Sequence, residues 1–162
     1  MKSLYQKILL LTFLLICVYQ VSGQEKVNLY GGLGIPEQFV LGIRFQFDRV
    51  QFGVGIGGGD KYTYTLSSDV SYHFGGSSQK SDRRPWYIKG GLSKWIDRSK
   101  DTDRFNYPLG IYFRLGRDIN LCNKVGLNIE LGMITGELAN EFIIFGTAKT
   151  FPSLGIFLFY RI

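Results

Sequence analysis

The sequence contains one histidine, and two further polar residues accompany it at the spacing of a β-strand. His73 follows Asp69 and Ser71 at alternate positions, so in an extended strand the three side chains share one face. Hydrolases and acyltransferases combine histidine with serine and a carboxylate, because the imidazole takes the proton of the attacking hydroxyl. A histidine packed in the interior gives the same pattern, and that is our interpretation. We therefore predict no catalytic residue and no enzymatic activity.

Isolated charges occupy the same face as these residues in several segments. Charges buried in a protein need partners. We expect Asp69 to lie near Lys89 and Arg114 to lie near Glu130 on neighbouring strands. Our interpretation is a structural network of ion pairs, and the alternative is a narrow charged path for ions. The predicted members of the network are Arg44, Asp69, Lys89, Arg114, Glu130 and Arg161.

Two short segments are similar to ligand-binding loops but lack the residues that binding requires. Residues 97–103 carry oxygen-bearing side chains at alternate positions, as a calcium loop does. They lack the glycine at the sixth position, and Pro108 stands at the twelfth, where a calcium loop has glutamate. Residues 55–61 are rich in glycine without the Gly-Lys-Ser/Thr ending of a phosphate loop. We expect no metal and no cofactor.

The elements that must position these side chains are strands, because apolar residues alternate with small or polar ones. Phe39, Leu41 and Ile43, for example, alternate with Val40, Gly42 and Arg44. Residues 138–145 fit no element well. The alternation predicts eight strands, at 26–35, 38–48, 50–57, 62–74, 86–93, 105–116, 125–133 and 153–162.

The contrast between the two faces distinguishes a membrane barrel from a soluble one. A soluble barrel packs its bulky apolar face inside, which leaves the other face to water. Here that other face is Gly, Ser, Thr, Asn and Gln with few charges, which is unusual for a water-exposed surface. Glycine suits a narrow lumen, and the bulky face then contacts lipid. We predict an all-β fold, an eight-stranded antiparallel up-and-down transmembrane β-barrel, with a soluble all-β fold as the alternative.

Aromatic residues gather near the predicted strand ends. Rings with a polar tip favour the membrane–water interface, and an outer-membrane barrel carries two such girdles. The predicted girdle residues are Tyr62, Tyr64, Tyr72, Trp86, Trp95, Tyr107 and Tyr160.

The N-terminal segment has the order of an export signal. Lys2 and Lys7 precede the apolar residues 8–19, and small residues end at Gly23. The apolar stretch is too short for a spanning helix, which needs about 20 residues. We predict cleavage after Gly23 and a barrel domain over 24–162. The net charge of +6 then falls to +4, and basic residues alternate with acidic ones, so nucleic-acid binding is not expected.

The signal ending in Ser22-Gly23-Gln24, the eight strands and the terminal strand together resemble small outer-membrane β-barrel proteins of Gram-negative bacteria, most like those of the Bacteroidota. The resemblance implies a monomer in outer-membrane lipid. It also implies that the barrel-assembly machinery reads the last strand, in which Leu154, Ile156, Leu158, Tyr160 and Ile162 alternate outward. Ile162 replaces the usual terminal phenylalanine.

An even number of strands places both chain ends on the periplasmic side. The extracellular loops are then 35–38, 57–61, 95–104 and 134–150, and the periplasmic turns are 48–49, 75–85 and 117–124. Function in such a protein is expected in the longer extracellular loops, 95–104 and 134–150, as a surface-interaction element for an unidentified partner. A purely structural role is equally compatible. A lipid-modifying enzyme and a soluble exported ligand-binding barrel are the alternatives.

Overall fold

The structure, a computed structural model, describes residues 27–59, 63–76, 83–98, 105–137 and 150–162. Among these residues no helix is long and apolar enough to cross a membrane. The strands are β1 (Val27–Gly34), β2 (Gln38–Phe47), β3 (Val50–Gly58), β4 (Thr63–Phe74), β5 (Trp86–Arg98), β6 (Phe105–Asn106), β7 (Leu109–Asn120), β8 (Val125–Gly136) and β9 (Thr150–Arg161).

Eight of these strands close into a barrel. The order around the sheet is β4-β3-β2-β1-β9-β8-β7-β5, and β4 pairs with β5 to complete the circle. Every pairing is antiparallel. Each of the eight strands pairs with the next one along the chain, with only the short β6 between β5 and β7, and the β1–β9 pair joins the first strand to the last. The two residues of β6 pair with the last two residues of β5, Asp97 and Arg98. The prediction of an eight-stranded antiparallel up-and-down barrel is confirmed.

The barrel has two distinct ends. At the first, which we call the turn end, lie the β2–β3 turn, the β7–β8 turn, the start of β1 and the end of β9. The opposite end, which we call the loop end, carries the short β1–β2 turn, the end of β5 and the end of β8. Residues 60–62, 77–82, 99–104 and 138–149 lie outside the described residues, and so does the predicted signal segment. The unassigned stretch 138–145 falls there as well.

Alternation along each strand separates the two faces of the wall. In β4 and in β7 buried and exposed residues alternate almost without interruption, as the two-residue period of a strand requires. The exposed positions are bulky and apolar: Phe113, Leu131 and Met133 each keep more than 60% of their surface exposed. The predicted assignment of the faces therefore matches the structure.

Glycine on the inner face makes room for aromatic rings that fill the lumen. A Cβ added at Gly116 would lie 2.3 Å from the ring of Tyr87, and one at Gly91 would lie 2.3 Å from the ring of Tyr112. Both tyrosines are almost fully buried. These two rings thus occupy space in the lumen where the neighbouring strand lacks a side chain.

Gly132→Ala is expected to lower the free energy of unfolding by about 1–3 kcal/mol, the usual cost of overpacking. The new Cβ would lie 1.8 Å from the carbonyl oxygen of Phe113 and 2.7 Å from the Cα of Arg114, which are backbone atoms that move only with the strand. Chemical denaturation of the detergent-solubilised barrel, followed by tryptophan fluorescence, measures the change.

Gly90→Ala is the matched control for Gly132→Ala. Gly90 faces outward, and a Cβ there would have its nearest contact at 3.4 Å, with the ring of Phe113. We expect this variant to unfold within about 0.5 kcal/mol of the parent, as surface substitutions usually do. Equal destabilisation by the two substitutions would contradict the assignment of Gly132 to the crowded inner face.

The structure corrects several predicted boundaries. The turn expected at 117–124 is confined to 121–124, because β7 continues to Asn120. The charged pair Arg117-Asp118 interrupts the apolar alternation but keeps its direction, with Arg117 exposed and Asp118 buried. The predicted strand 105–116 is divided at residues 107–108, since Pro108 has no amide hydrogen for the ladder.

Candidate functional site

The lumen holds the charges that the sequence distributes along the inner face. All six predicted members of the network are at least 94% buried. Four of them come together near the middle of the barrel, where the side chains of Arg44, Lys89 and Arg114 converge on the carboxylate of Glu130.

Glu130 contacts four side chains on three other strands. The ammonium of Lys89 donates to Oε1, which also accepts from the Tyr87 hydroxyl at 2.8 Å and lies 3.5 Å from Nη2 of Arg44. Arg114 donates from Nη1 to Oε2 at 3.0 Å. The predicted contact of Arg114 with Glu130 is therefore present. Three buried cations thus converge on one carboxylate, and such charge-assisted bonds are strong in a medium that excludes water.

Arg114 also fastens the loop end of the barrel. Its Nη2 donates to Oε2 of Glu37 at 2.6 Å and to the carbonyl of Ile35 at 2.7 Å, and its Nε donates to Oγ of Ser153 at 2.7 Å. Glu37 is 3% exposed although it lies in the β1–β2 turn. The turn therefore folds inward over the lumen, held by an ion pair.

A second chain of contacts runs from Glu130 toward the turn end. Arg44 donates from Nη1 to Oδ1 of Asn128 at 2.8 Å, and Asn128 donates from Nδ2 to Oδ1 of Asp118 at 2.5 Å. Asp118 in turn pairs with Arg83, at 2.6 Å. We call the connected set the lumen network; it crosses the barrel from end to end through Glu37, Arg114, Glu130, Lys89, Arg44, Asn128, Asp118 and Arg83.

Asp69 and Lys89 lie on the same face of adjacent strands, as expected, but Lys89 forms its ion pair with Glu130 and not with Asp69. The β4–β5 register places Asp69 opposite Gly91 and Lys89 opposite Ser71, and Lys89 reaches Glu130 instead. Asp69 projects over Gly53, where an added Cβ would lie 2.7 Å from both carboxylate oxygens. Arg44 is the partner of Gly53 on the other side, so the carboxylate of Asp69 and the guanidinium of Arg44 flank the same glycine.

Arg161 occupies the turn end rather than the centre. Its guanidinium donates to the carbonyl of Asn123 at 3.1 Å and to the side-chain oxygen of Asn120. It thereby joins the end of β9 to the β7–β8 turn.

Sequence reasoning did not find Glu37, Arg83 or Asp118. Asp118 shares the parity of Arg114 along β7, so extending the alternation by two residues would have identified it. Glu37 and Arg83 lie outside the strands, where alternation carries no signal. Only the folded chain shows that both return into the lumen.

Trp95 was predicted to belong to the aromatic girdle, but the structure places it on the inner face of the barrel. It shares the inward parity of Ser93 on β5, and it packs partly buried against Tyr112 and Ile134 at the loop end. Its indole Nε1 donates to the carbonyl of Pro36 at 2.9 Å. Trp95 thus helps to hold the β1–β2 turn over the lumen, whereas a girdle residue would face outward.

The remaining girdle residues form two groups on the outer surface. Tyr64 and Tyr107 are exposed near the loop end, and Tyr72, Trp86 and Tyr160 are exposed near the turn end. Tyr62 lies outside the described residues.

His73 is a packed residue in the structure. Its ring lies against that of Tyr87, with centroids 4.9 Å apart, and Nδ1 lies 3.0 Å from the carbonyl of Arg84, to which it can donate. His73 and Ser71 are 1% and 0% exposed, and neither His73 Nε2 nor Ser71 Oγ has a hydrogen-bond partner. The hydrogen bond that pairs a nucleophile with its base is therefore not formed.

Among the described residues no group of three His, Cys, Asp or Glu could hold a metal ion.

Comparison with solved structures places the fold among small bacterial barrels. The N-terminal β-barrel domain of Pseudomonas aeruginosa OprF is similar with a TM-score of 0.50 and 18% identity, over 87% of this chain and all of that one. Neisserial surface protein A matches with a TM-score of 0.47 and 10% identity, over 85% of this chain and 95% of that one. No protein-family model and no curated protein matches the sequence. At the level of the fold, the resemblance to small outer-membrane barrels is confirmed.

Proposed function

We propose that the protein is an integral outer-membrane β-barrel that acts as a closed scaffold, with a structural or surface-interaction role through the segments 95–104 and 134–150. Most residues of those two segments lie outside the described residues. The observation that carries the proposal is the reversed polarity of the barrel.

The polarity is reversed relative to a soluble protein. Among the described residues, thirty large hydrophobic side chains are exposed, while twenty polar or charged residues are buried against seven hydrophobic ones. In water such a molecule would expose its apolar surface and bury its charges, which costs free energy on both counts. In a bilayer the same outer face is favourable because lipid covers it. The lumen network pairs most of the buried charges on the inner face. This argues against a soluble exported ligand-binding barrel.

The contents of the lumen support a scaffold rather than a channel. Rings such as Tyr30 and Phe157 pack edge to face inside the barrel, and the lumen network spans it from one end to the other. Eight strands enclose a space just wide enough for side chains to fill. The inward-folded β1–β2 turn adds a cover at the loop end. The arrangement therefore favours structural ion pairs over a path for ions.

Membrane fractionation tests the proposal. We expect the protein in the detergent-extractable outer-membrane fraction, with an unheated sample migrating differently from a heated one, because a closed barrel resists unfolding in the gel buffer. The predicted cleavage after Gly23 is checked by N-terminal sequencing of the same material. Recovery in the soluble periplasmic fraction, with no heat-dependent shift, would overturn the proposal.

A further inference from the structure

The outer wall of the barrel has a groove where one outward-facing position lacks a side chain. Gly90 occupies that position on β5, directly between Val70 of β4 and Phe113 of β7. The groove has a volume of about 960 Å³ and extends to Tyr72 and Met133. Its size falls within the range of small-molecule sites, about 300–1,000 Å³, and its exposed lining is mainly apolar.

A cation lies beyond the turn end of this groove. Moving from Gly90 along the paired strands, the outward pairs are Ile88 with Leu115 and then Trp86 with Arg117. The guanidinium of Arg117 lies 5.0 Å from the centroid of the Trp86 ring. Trp86 lies four positions before Gly90 on β5, a distance of roughly 13 Å along a strand. The apolar groove thus extends toward the guanidinium of Arg117, which lies beside the ring of Trp86.

A second cation flanks the same groove on its β4 side. Arg49, in the β2–β3 turn, donates from Nη1 to the hydroxyl of Tyr72 at 3.5 Å, and Tyr72 lines the groove. Arg49 and Arg117 are both exposed. Among the described residues of this rim, Arg49, Arg84, Arg117 and Lys124 face outward or are partly exposed, and Asp48 is the exposed acid. The rim is therefore complementary to an anion.

The same construction occurs a second time on the barrel. Gly31 of β1 is an outward-facing glycine within a groove of about 950 Å³ that includes Leu127 and Leu158. Beyond these two residues, toward the turn end, the ammonium of Lys124 lies 6.0 Å from the centroid of the Tyr160 ring. An apolar groove at a glycine with a cation–aromatic pair at its turn end is thus a repeated feature of the outer wall.

We propose that the groove at Gly90 is a binding site for an anionic phospholipid, with the phosphate held by Arg117 and Arg49 and one acyl chain in the groove. This inference rests on the proposed membrane location. Guanidinium groups bind phosphate oxygens through charge-assisted hydrogen bonds, while Trp86 and Tyr72 lie at the depth where amphipathic rings meet the head groups. The site would select its lipid by charge, and the groove would hold the chain against the wall.

Quenching of Trp86 by brominated lipid tests the site directly. The chain has two tryptophans, so Trp95→Phe leaves Trp86 as the only reporter. The barrel is reconstituted in phosphatidylcholine nanodiscs that contain increasing fractions of phosphatidylglycerol, brominated near the head-group end of its acyl chains. A parallel titration uses brominated phosphatidylcholine. We expect half-maximal quenching at a lower mole fraction of phosphatidylglycerol than of phosphatidylcholine.

Three variants separate the parts of the site. Arg117→Gln should raise the phosphatidylglycerol fraction for half-maximal quenching roughly fivefold, the effect expected for one basic residue near a membrane surface. Gly90→Leu fills the groove and should also weaken quenching by phosphatidylglycerol. Lys94→Gln is the matched control, because Lys94 lies over the ring of Tyr107 at the opposite end of the same strand; it should leave the titration unchanged. The heat-dependent gel shift verifies that each variant folds.

The outcomes distinguish this inference from the proposed function. Equal quenching by the two lipids, or an equal effect of Arg117→Gln and Lys94→Gln, would overturn the site while leaving the membrane barrel intact. Quenching by neither lipid would show that Trp86 does not contact a bilayer, which contradicts the membrane location and the site together.

Discussion

Replacing Glu130 with alanine is expected to lower the free energy of unfolding by about 3–5 kcal/mol, the cost of removing one partner from a buried ion pair. Arg44, Lys89 and Arg114 would lose the carboxylate on which they converge and would remain buried. Tyr87 would also lose the acceptor of its hydroxyl. The change is measured by denaturant unfolding of the barrel in detergent micelles, with gel mobility as the second probe of the folded state.

Glu137→Ala provides the control for the loss of one carboxylate. Glu137 is exposed at the loop end, and its removal should change stability by no more than about 0.5 kcal/mol. A double variant, Glu130→Gln with Lys89→Met, removes one cation together with the carboxylate and should recover part of the loss. If Glu130→Ala unfolds at the same midpoint as Glu137→Ala, Glu130 does not organise the lumen network.

The second large effect concerns the outer wall. Leu131→Arg should destabilise the barrel in a bilayer by about 2–4 kcal/mol, the cost of an arginine on the lipid face near the midplane. Leu131 lies in the middle of β8 and is 63% exposed, so the substitution disturbs no packing in the interior. Denaturant unfolding of the barrel from lipid vesicles, followed by the heat-dependent gel shift, measures the change.

Depth in the membrane supplies the control for Leu131→Arg. Leu121 is 57% exposed in the β7–β8 turn, where an arginine can reach water, so Leu121→Arg should cost about 0–1 kcal/mol. A barrel whose outer wall faced water would treat the two substitutions alike. Equal stabilities for the two variants in vesicles would therefore contradict the assignment of this face to lipid.

The features that sequence predicted correctly are local ones. Alternation identified the strands and assigned residues such as Phe113 and Arg114 to opposite faces, because the direction of a side chain depends only on its position along an extended chain. The same rule, applied to residue 95, would have placed Trp95 on the inner face. Its prediction as a girdle residue relied on residue type and on nearness to a strand end, and both were weaker guides than parity.

The partners inside the lumen were not predictable in the same way. Asp69 and Lys89 lie on adjacent strands and the same face, yet the register and the reach of the lysine side chain bring Lys89 to Glu130 instead. Glu37 and Arg83 enter the lumen from connections, for which no periodic pattern exists. Contacts across a closed barrel depend on which strands face each other, and that arrangement is set only when the sheet closes.

The sequence by itself determined which face of the wall is apolar and which is polar, because apolar and polar residues alternate with a two-residue period along the strands. It also determined that glycine and aromatic residues would be abundant together. Only the tertiary structure decided how they combine, with the ring of Tyr112 lying over Gly91 and the groove opening at Gly90. It also decided that three cations share Glu130. The physical reason is that closure of the sheet brings strands that are distant in sequence within the reach of one side chain. Which charged side chains pair therefore depends on the closed barrel and not on their positions along the chain.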